Sequence, residues 1–331
     1  MERPVLFHRL LNALRVSAVA AAASAAFAIL QARAAERRTP PIGRFIEVDG
    51  VRLHYFEQGA GDPVVLVHGN GMLIQDFITS GLVDGLSARH RVIVFDRPGF
   101  GYSARPRSRI WTPMAQAELL LKALDRIGVE RATVLGHSWG ALVAVSLALL
   151  APARVRGLVL ASGYYFPTVR LDVPLLSPPA IPVIGDVMRH TVSPVLGRLT
   201  LPAMIKGLFH PASVPERFDR EFPKLMMLRP SQIRASAADT ALMIPGAAEL
   251  QGRYRELTPP VTIVTGVNDK IADFDRQSKR LHEELPGSGF VALPGLGRMV
   301  HHLAPGPVME AIEQVARTSA SRAEAAAPLN A

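Results

Sequence analysis

The sequence predicts an α/β fold with a mainly parallel, doubly wound sheet and an inserted helical cap. Short runs at 63–67, 91–95 and 157–161, which are apolar at every position except Arg91, are typical of strands that are buried on both faces. They alternate with helical patterns of about 10–15 residues, which indicates crossover helices on both sides of one sheet. The alternation stops between residues 164 and 257 and then resumes, so this segment is predicted to be an insertion.

The composition excludes several classes of function. The 331-residue chain has no cysteine, which excludes disulfides, thiolate catalysis and cysteine-based metal sites. Its 37 Lys+Arg and 28 Asp+Glu give a net charge of +9, but the basic residues are scattered. Since no basic run with interleaved aromatic residues occurs, we expect no nucleic-acid partner. Metal-binding and phosphate-binding motifs are also lacking, so we expect no metal and no cofactor.

Residues 1–38 form a segment of their own. An alanine-rich stretch without charge, 16–32, has three arginines before it and three after it. Two hypotheses fit: an uncleaved membrane anchor, which we prefer, or a signal peptide cleaved near Ala32-Arg33-Ala34. A third is a leader that does neither. The protein is therefore expected either to be membrane-anchored through its N-terminus or to be exported to the periplasm or secreted.

Residues 39–163 are predicted to form the first part of the core. Two alternating runs, 44–48 and 51–57, are joined at Asp49-Gly50 and predict a hairpin. The predicted elements that follow are, in order, strands at 63–67 and 91–95, a helix at 113–127, a strand at 132–135, a helix from 141 and a strand at 157–161. These elements place a strand, a tight turn and a helix around residue 138.

The second half of the chain is predicted to hold the cap, the rest of the core and a tail. Residues 164–257 are rich in proline, leucine and methionine, and we interpret them as a helical cap or lid. Residues 258–317 complete the core, with strands at 261–265 and 289–293 and helices at 274–285 and 305–316. Residues 318–331, rich in alanine and serine, are predicted to be a flexible tail.

The turn around Ser138 has the pattern G-x-S-x-G, from Gly136 to Gly140. On a sharp strand-to-helix turn, neighbouring backbones come too close for a Cβ, which requires small residues two positions on either side of the serine. A serine in this position is a candidate nucleophile, but a serine hydroxyl needs a base within hydrogen-bond reach.

Four motifs in a fixed order carry a family resemblance. They are His68-Gly69-Asn70-Gly71, the run Asp96 to Ser103, Gly136 to Gly140, and Gly266-Val267-Asn268-Asp269. Over roughly residues 43–316 the chain resembles the α/β-hydrolase fold superfamily, in its form with a serine nucleophile and a cap domain. The resemblance implies a chain order of serine, acid and histidine.

The resemblance also implies roles for individual residues. Ser138 matches the nucleophile, and Asp269 matches the acid that orients the histidine. The backbone N–H groups of Asn70 and Trp139 match the oxyanion hole. A serine rather than an aspartate argues against epoxide hydrolase and haloalkane dehalogenase chemistry, and it leaves hydrolysis of ester, thioester, lactone, amide or carbon–carbon bonds.

The last motif departs from the family pattern, because Arg298 stands where the catalytic histidine is expected. Arginine does not deprotonate in proteins and cannot be a general base. Three interpretations remain. His301, or alternatively His302, serves as the base; or Arg298 pairs with Asp269 and the chemistry is impaired; or the chain is a mutated copy of an active ancestor.

Two functional hypotheses follow. The first is a membrane-associated, carboxylesterase-like hydrolase that cleaves an ester or related acyl bond of a small apolar substrate through an acyl-enzyme on Ser138. The second is an impaired or non-catalytic ligand-binding protein on the same scaffold. The apolar residues of the cap suit an apolar acyl substrate, although they could equally form the cap's own core.

Overall fold

A computed structural model of the protein describes residues 3–326. Its centre is an eight-stranded sheet in the order β1-β2-β4-β3-β5-β6-β7-β8. The strands are β1 (Arg44–Val48), β2 (Val51–Gln58), β3 (Asp62–Val67), β4 (His90–Phe95), β5 (Ala132–His137), β6 (Val155–Ala161), β7 (Val261–Gly266) and β8 (Gly289–Leu293). β2 pairs antiparallel with β1 and β4, and all other neighbours are parallel. The mainly parallel sheet predicted from the sequence is confirmed.

Thirteen α-helices occur in the described residues. They are α1 (Arg3–Arg38), α2 (Gln75–Thr79), α3 (Leu82–Ser87), α4 (Pro113–Arg126), α5 (Trp139–Leu150), α6 (Asp172–Leu176), α7 (Ile184–Met188), α8 (Val192–Phe209), α9 (Glu216–Glu221), α10 (Pro230–Leu250), α11 (Arg280–Glu284), α12 (Val300–Leu303) and α13 (Pro305–Ala326). A π-helical turn, Asp275–Lys279, leads into α11.

The apolar runs are strands because both faces of the sheet are covered. In β3, Val65 and Val67 pack in a cluster with α4 and α5, whereas Val64 and Leu66 pack in a second cluster with α3 and α13. Successive side chains of a strand point to opposite faces, so a strand covered on both sides must be apolar at every position. Each fully buried aliphatic side chain contributes about 1.5–3 kcal/mol relative to its exposed state.

The predicted cap lies between β6 and β7. All residues from 162 to 260 are described and none forms a strand; the segment holds α6 to α10. Its longest helix, α10, is seated on the core, because Met243, Ala247 and Leu250 share an apolar cluster with Trp139 at the start of α5. The cap therefore covers the carboxyl edge of the central strands.

A buried ion pair fixes the cap to two core loops. Arg97, directly after β4, donates from Nη1 to Oδ2 of Asp239 on α10 at 2.6 Å. It also donates to the carbonyl oxygens of His68, at 2.8 Å, and Gly69, at 3.0 Å. Burial lowers the pKa of Arg97 and the negative charge of Asp239 opposes that shift. One side chain thus sets the position of the loop after β3 relative to the cap.

His68 is held neutral in the same network. Its Nδ1–H donates to the carbonyl oxygen of Gly69 at 2.8 Å, and its Nε2 accepts from the backbone N–H of Arg97 at 3.0 Å. Burial, reinforced by the positive charge of Arg97, lowers the pKa of His68 to about 4. A second proton would have to sit on Nε2, where it would face an N–H donor.

The C-terminal segment differs from the sequence-based expectation. The flexible tail was expected from residue 318, but α13 continues as far as Ala326, and residues 327–331 lie outside the described residues. Alanine has the highest intrinsic helix propensity, so an alanine-rich extension continues a helix that is already nucleated.

Removing the buried carboxylate should strongly destabilise the fold. We expect Asp239→Ala to lower the free energy of unfolding by about 3–5 kcal/mol, since it leaves Arg97 buried without a counter-charge. The control is Glu118→Ala, which breaks the solvent-exposed pair with Arg109 and should cost under about 1 kcal/mol. Urea unfolding at pH 7 measures both. Equal losses for the two variants would contradict this account.

The neutral state of His68 predicts a stability loss at acidic pH. Because its folded pKa lies below the unfolded value, the unfolded chain takes up the proton first as the pH falls. The stabilisation is complete above pH 6.5 and is lost towards pH 4, with about 2 kcal/mol lost from this residue between pH 7 and pH 4.5. Urea unfolding at both pH values should show a smaller difference in His68→Gln. An unchanged difference would overturn the assignment.

Candidate active site

The turn between β5 and α5 has the geometry that the pattern around Ser138 predicts. Ser138 has φ 56° and ψ −120°, in the strained region that a non-glycine residue rarely adopts. A Cβ on Gly136 would lie 2.3 Å from the carbonyl oxygen of Gly140, and one on Gly140 would lie 2.1 Å from that of Val67. Neither space admits a carbon atom, so the two glycines are steric requirements of the turn.

The loop after β3 passes directly against the serine. A Cβ on Gly69 would lie 3.0 Å from the Cβ of Ser138. The next residue, Asn70, donates its side-chain amide to Oγ1 of Thr240 at 2.9 Å, which ties the loop to α10. Within the described part of the chain, the backbone N–H of Asn70 makes no hydrogen bond to another loop, and that of Trp139 lies in the first turn of α5, where N–H groups have no intrahelical acceptor. Both remain available to a ligand oxygen at Ser138.

Arg298 occupies the space between the serine and the acid. Its Nη2 donates to Oγ of Ser138, and its Nη1 donates to Oδ2 of Asp269 at 3.3 Å. The other carboxylate oxygen of Asp269 accepts from the backbone N–H of Ile271 at 2.8 Å and of Ala272 at 3.1 Å. All three charged or nucleophilic side chains are buried, and Arg298 is 5% exposed. One of the three interpretations drawn from the sequence, that Arg298 pairs with Asp269, agrees with this geometry.

The charge of Arg298 is compensated inside the site. Burial lowers the pKa of its guanidinium, and the negative charge of Asp269 opposes that effect. A guanidinium stays protonated at neutral pH and has no lone pair to accept a proton. Ser138 therefore receives a hydrogen bond from Arg298 but has no proton acceptor in it.

His301 and His302 lie elsewhere than expected. Nε2 of His301 is 3.1 Å from Oδ2 of Asp76, and Nε2 of His302 is 2.8 Å from the other oxygen of the same carboxylate. Burial alone would raise the pKa of Asp76. The positive charge of His301 and its hydrogen bond outweigh this effect, so the pKa of Asp76 lies well below its usual value. Among the described residues neither histidine hydrogen-bonds Ser138, so the expected replacement base is not in place. The reason is that Asp76 binds both rings.

The same cluster is the one place among the described residues with a set of metal-ligating side chains. Asp76, His137 and His301 are all buried, and each offers one ligand atom. These three atoms lie within 4.8 Å of one another. Nδ1 of His137 and Nδ1 of His301 have no hydrogen-bond partner in the described structure. Two imidazoles and a carboxylate suit zinc or iron. Both oxygens of Asp76 already accept hydrogen bonds, and none of the three residues lines the cavity at Ser138.

A cavity of about 330 Å³ opens above Ser138. Its base is formed by Asn70, Ser138 and Arg298. Its walls come mainly from apolar cap residues, including Leu175, Leu176, Met188, Val192, Leu196 and Met204. A separate hollow between Asp125 and Arg154 lies near the start of β5, at the opposite edge of the sheet, and has no part in this site. The Ser138 cavity combines an apolar wall with a polar base.

Two carboxylates that organise the site were not predicted from the sequence. Asp76 is placed among apolar residues before and within α2, and Asp239 lies in the alanine-rich middle of α10. Carboxylates are almost never fully buried unless they are paired. A lone aspartate within an apolar segment therefore indicates a buried, paired carboxylate. The sequence does not identify the residue with which it pairs.

Comparisons with known proteins agree with this geometry. A family model described as alpha/beta hydrolase fold matches residues 62–305. The chain is 30% identical over 247 residues to 2-hydroxymuconate semialdehyde hydrolase of Pseudomonas sp. (strain CF600), which covers 72% of this chain and 81% of the relative.

Solved structures of similar fold include an esterase from Thermogutta terrifontis, with a TM-score of 0.64, 23% identity, and coverage of 84% of this chain and 99% of the esterase. A membrane phospholipase A, described as a bacterial virulence factor, has a TM-score of 0.62 at 20% identity and covers 96% of this chain and 99% of its own. At these identities the likeness concerns the fold. The strained serine turn, the sheet order and the family match together show that the chain belongs to the alpha/beta hydrolase fold family.

Proposed function

We propose that the cavity binds an apolar acyl compound, with the ester or related acyl bond at Ser138, and that hydrolysis there is slow because Arg298 replaces the base. The contact of Arg298 with both Ser138 and Asp269 carries this proposal. In the expected chemistry a histidine takes the proton of the serine as its oxygen attacks the acyl carbon. The guanidinium fills the place of that histidine and cannot do so.

Part of the catalytic machinery is retained. The serine lies on its strained turn, and the N–H groups of Asn70 and Trp139 are free to stabilise negative charge on the acyl oxygen. Without a working triad, an oxyanion hole and substrate binding still leave roughly 10³–10⁴-fold catalysis over water. We therefore expect an acyl-enzyme on Ser138 to form slowly, with water as the proton acceptor.

A second candidate function is the binding of an apolar carboxylate without turnover. Arg298 and Arg170 both line the cavity, and guanidinium groups pair well with carboxylates. Arg170 is already paired with Asp172, as Arg298 is with Asp269, so the site is close to charge balance. An acid with a long apolar tail would match the apolar walls and place its head group at the polar base.

We further propose that the N-terminal segment is retained as a membrane anchor. Helix α1 is long and apolar enough between Arg15 and Arg38 to span a membrane. Its C-terminal half packs on the body of the protein: Ala28 and Ala35 are buried, and Glu36 forms an ion pair with the buried Arg229. Cleavage after Ala34 would remove part of this interface, which supports the anchor over the signal peptide.

Restoring a base should switch on hydrolysis. We expect Arg298→His to raise kcat for a p-nitrophenyl acyl ester by on the order of 10²–10⁴-fold, the usual contribution of a positioned general base. Asp269 is in place to orient the new imidazole. The measurement is steady-state release of p-nitrophenol across a series of acyl chain lengths.

Two controls make this result specific. Arg298→Gln removes the guanidinium without supplying a base and should show no comparable gain. Ser138→Ala combined with Arg298→His should lose the gain. A wild-type protein that already hydrolyses the esters as fast as Arg298→His would show that the base lies elsewhere and would contradict the proposal.

A further inference from the structure

The cap exposes an unusually large apolar surface. More than half of the large apolar side chains that are exposed in the described part of the chain lie between residues 169 and 204: Val169, Leu171, Leu175, Leu176, Ile181, Val183, Ile184, Val187, Val192, Val195, Leu196, Leu199 and Met204. We call this set the cap face. Such a concentration of exposed apolar side chains in one segment is typical of a protein or membrane interaction site.

Helix α8 shows that the cap face has no partner among the described residues. Val192, Val195, Leu196 and Leu199 recur at helical spacing and are all exposed, Leu199 to 75%. The opposite side of the helix, with Leu201, Ile205 and Phe209, is buried in a cluster that also contains core-loop residues such as Met72 and Met299. A helix that is apolar on both sides requires an apolar environment on both sides. The described protein supplies only one of them.

The cap face is continuous with the candidate membrane helix. The hydroxyl of Ser24 on α1 donates to the carbonyl oxygen of Thr191, directly before α8, at 2.6 Å. Nearby on α1, Phe27, Ile29 and Leu30 are exposed. N-terminal to Ser24, every side chain from 15 to 23 is exposed, and the helix extends to Arg3. At 1.5 Å per residue the candidate span, Arg15–Arg38, is about 36 Å long, which is enough to cross a bilayer core of roughly 30 Å.

The charges of this region favour a lipid surface. Both carboxylates among residues 169–204 are neutralised, Asp172 by Arg170 and Asp186 by Arg107 and Arg189. Arg198 is exposed on α8 and forms no ion pair within the described residues. An unpaired cation beside an apolar surface suits the head-group layer of an anionic membrane.

The cavity opens through the same surface. Leu175, Leu176, Val192 and Leu196 line the Ser138 cavity and are also exposed members of the cap face. A compound that leaves a bilayer at this face can therefore enter the cavity without passing through water.

From these contacts we infer that the cap face lies in the surface of the lipid bilayer that α1 spans, and that apolar ligands enter the Ser138 cavity from the lipid. The occupant of the cap face is thus a membrane rather than a protein. This inference rests on the proposed membrane anchor α1, and it does not depend on turnover at Ser138.

Tryptophan probes test the inference on the full-length protein. The two native tryptophans, Trp111 and Trp139, are buried, so wild-type protein provides the background signal. Leu199→Trp reports on the cap face, and Val19→Trp reports on α1. Leu150→Trp is the matched control, an exposed leucine at the end of α5 on the opposite edge of the sheet. Each variant is reconstituted into phosphatidylcholine and phosphatidylglycerol vesicles, with and without brominated acyl chains.

Brominated lipid should remove most of the added fluorescence of Leu199→Trp and Val19→Trp and leave that of Leu150→Trp unchanged. If Leu199→Trp is quenched no more than Leu150→Trp, the inference is overturned, whether or not α1 is inserted. If a second copy of the chain covered the cap face, Leu199→Trp would also escape quenching. Sedimentation in detergent would then show a dimer, and Leu199→Asp would dissociate it.

Discussion

The contact of the Arg298 guanidinium with Ser138 and Asp269 determines what the rest of the fold can do. The sheet places the serine and the acid at its carboxyl edge, and the cavity presents an apolar wall to a substrate. A proton must still leave the serine for covalent chemistry to begin. Arg298 hydrogen-bonds both neighbours, and its positive charge balances the negative charge of Asp269. The site therefore has defined contacts but lacks a residue that can accept the proton of the serine.

A second arginine has a different task. Arg97 binds Asp239 and two carbonyl oxygens of the loop after β3, and so holds the loop that carries Asn70, the cap and the cavity in one arrangement. The cap in turn has two apolar sides, one packed on the core and one exposed beside α1. In this account the geometry of the acyl site and the approach of ligands from the membrane both depend on how the cap is seated.

The sequence predicted those features that arise from local backbone constraints. The two glycines around Ser138 are required by contacts of about 2 Å that any Cβ would make, and continuous apolar strands follow from burial on both faces. It did not predict the partners of His301 and His302, because Asp76 is more than 220 residues away along the chain. Arg298 was recognised as a departure, but its bridge between serine and acid depends on where three distant loops meet.

The most direct test of the central claim is the rate at which Ser138 reacts with a fluorophosphonate, followed by intact-protein mass and peptide mapping. The account predicts slow labelling of wild type, and much faster labelling of Ser138 in Arg298→His. The difference arises because the reagent reports deprotonation and attack without requiring a particular acyl substrate. Rapid labelling of wild-type Ser138 that Arg298→His does not accelerate would contradict it, since a base other than residue 298 would then be activating the serine.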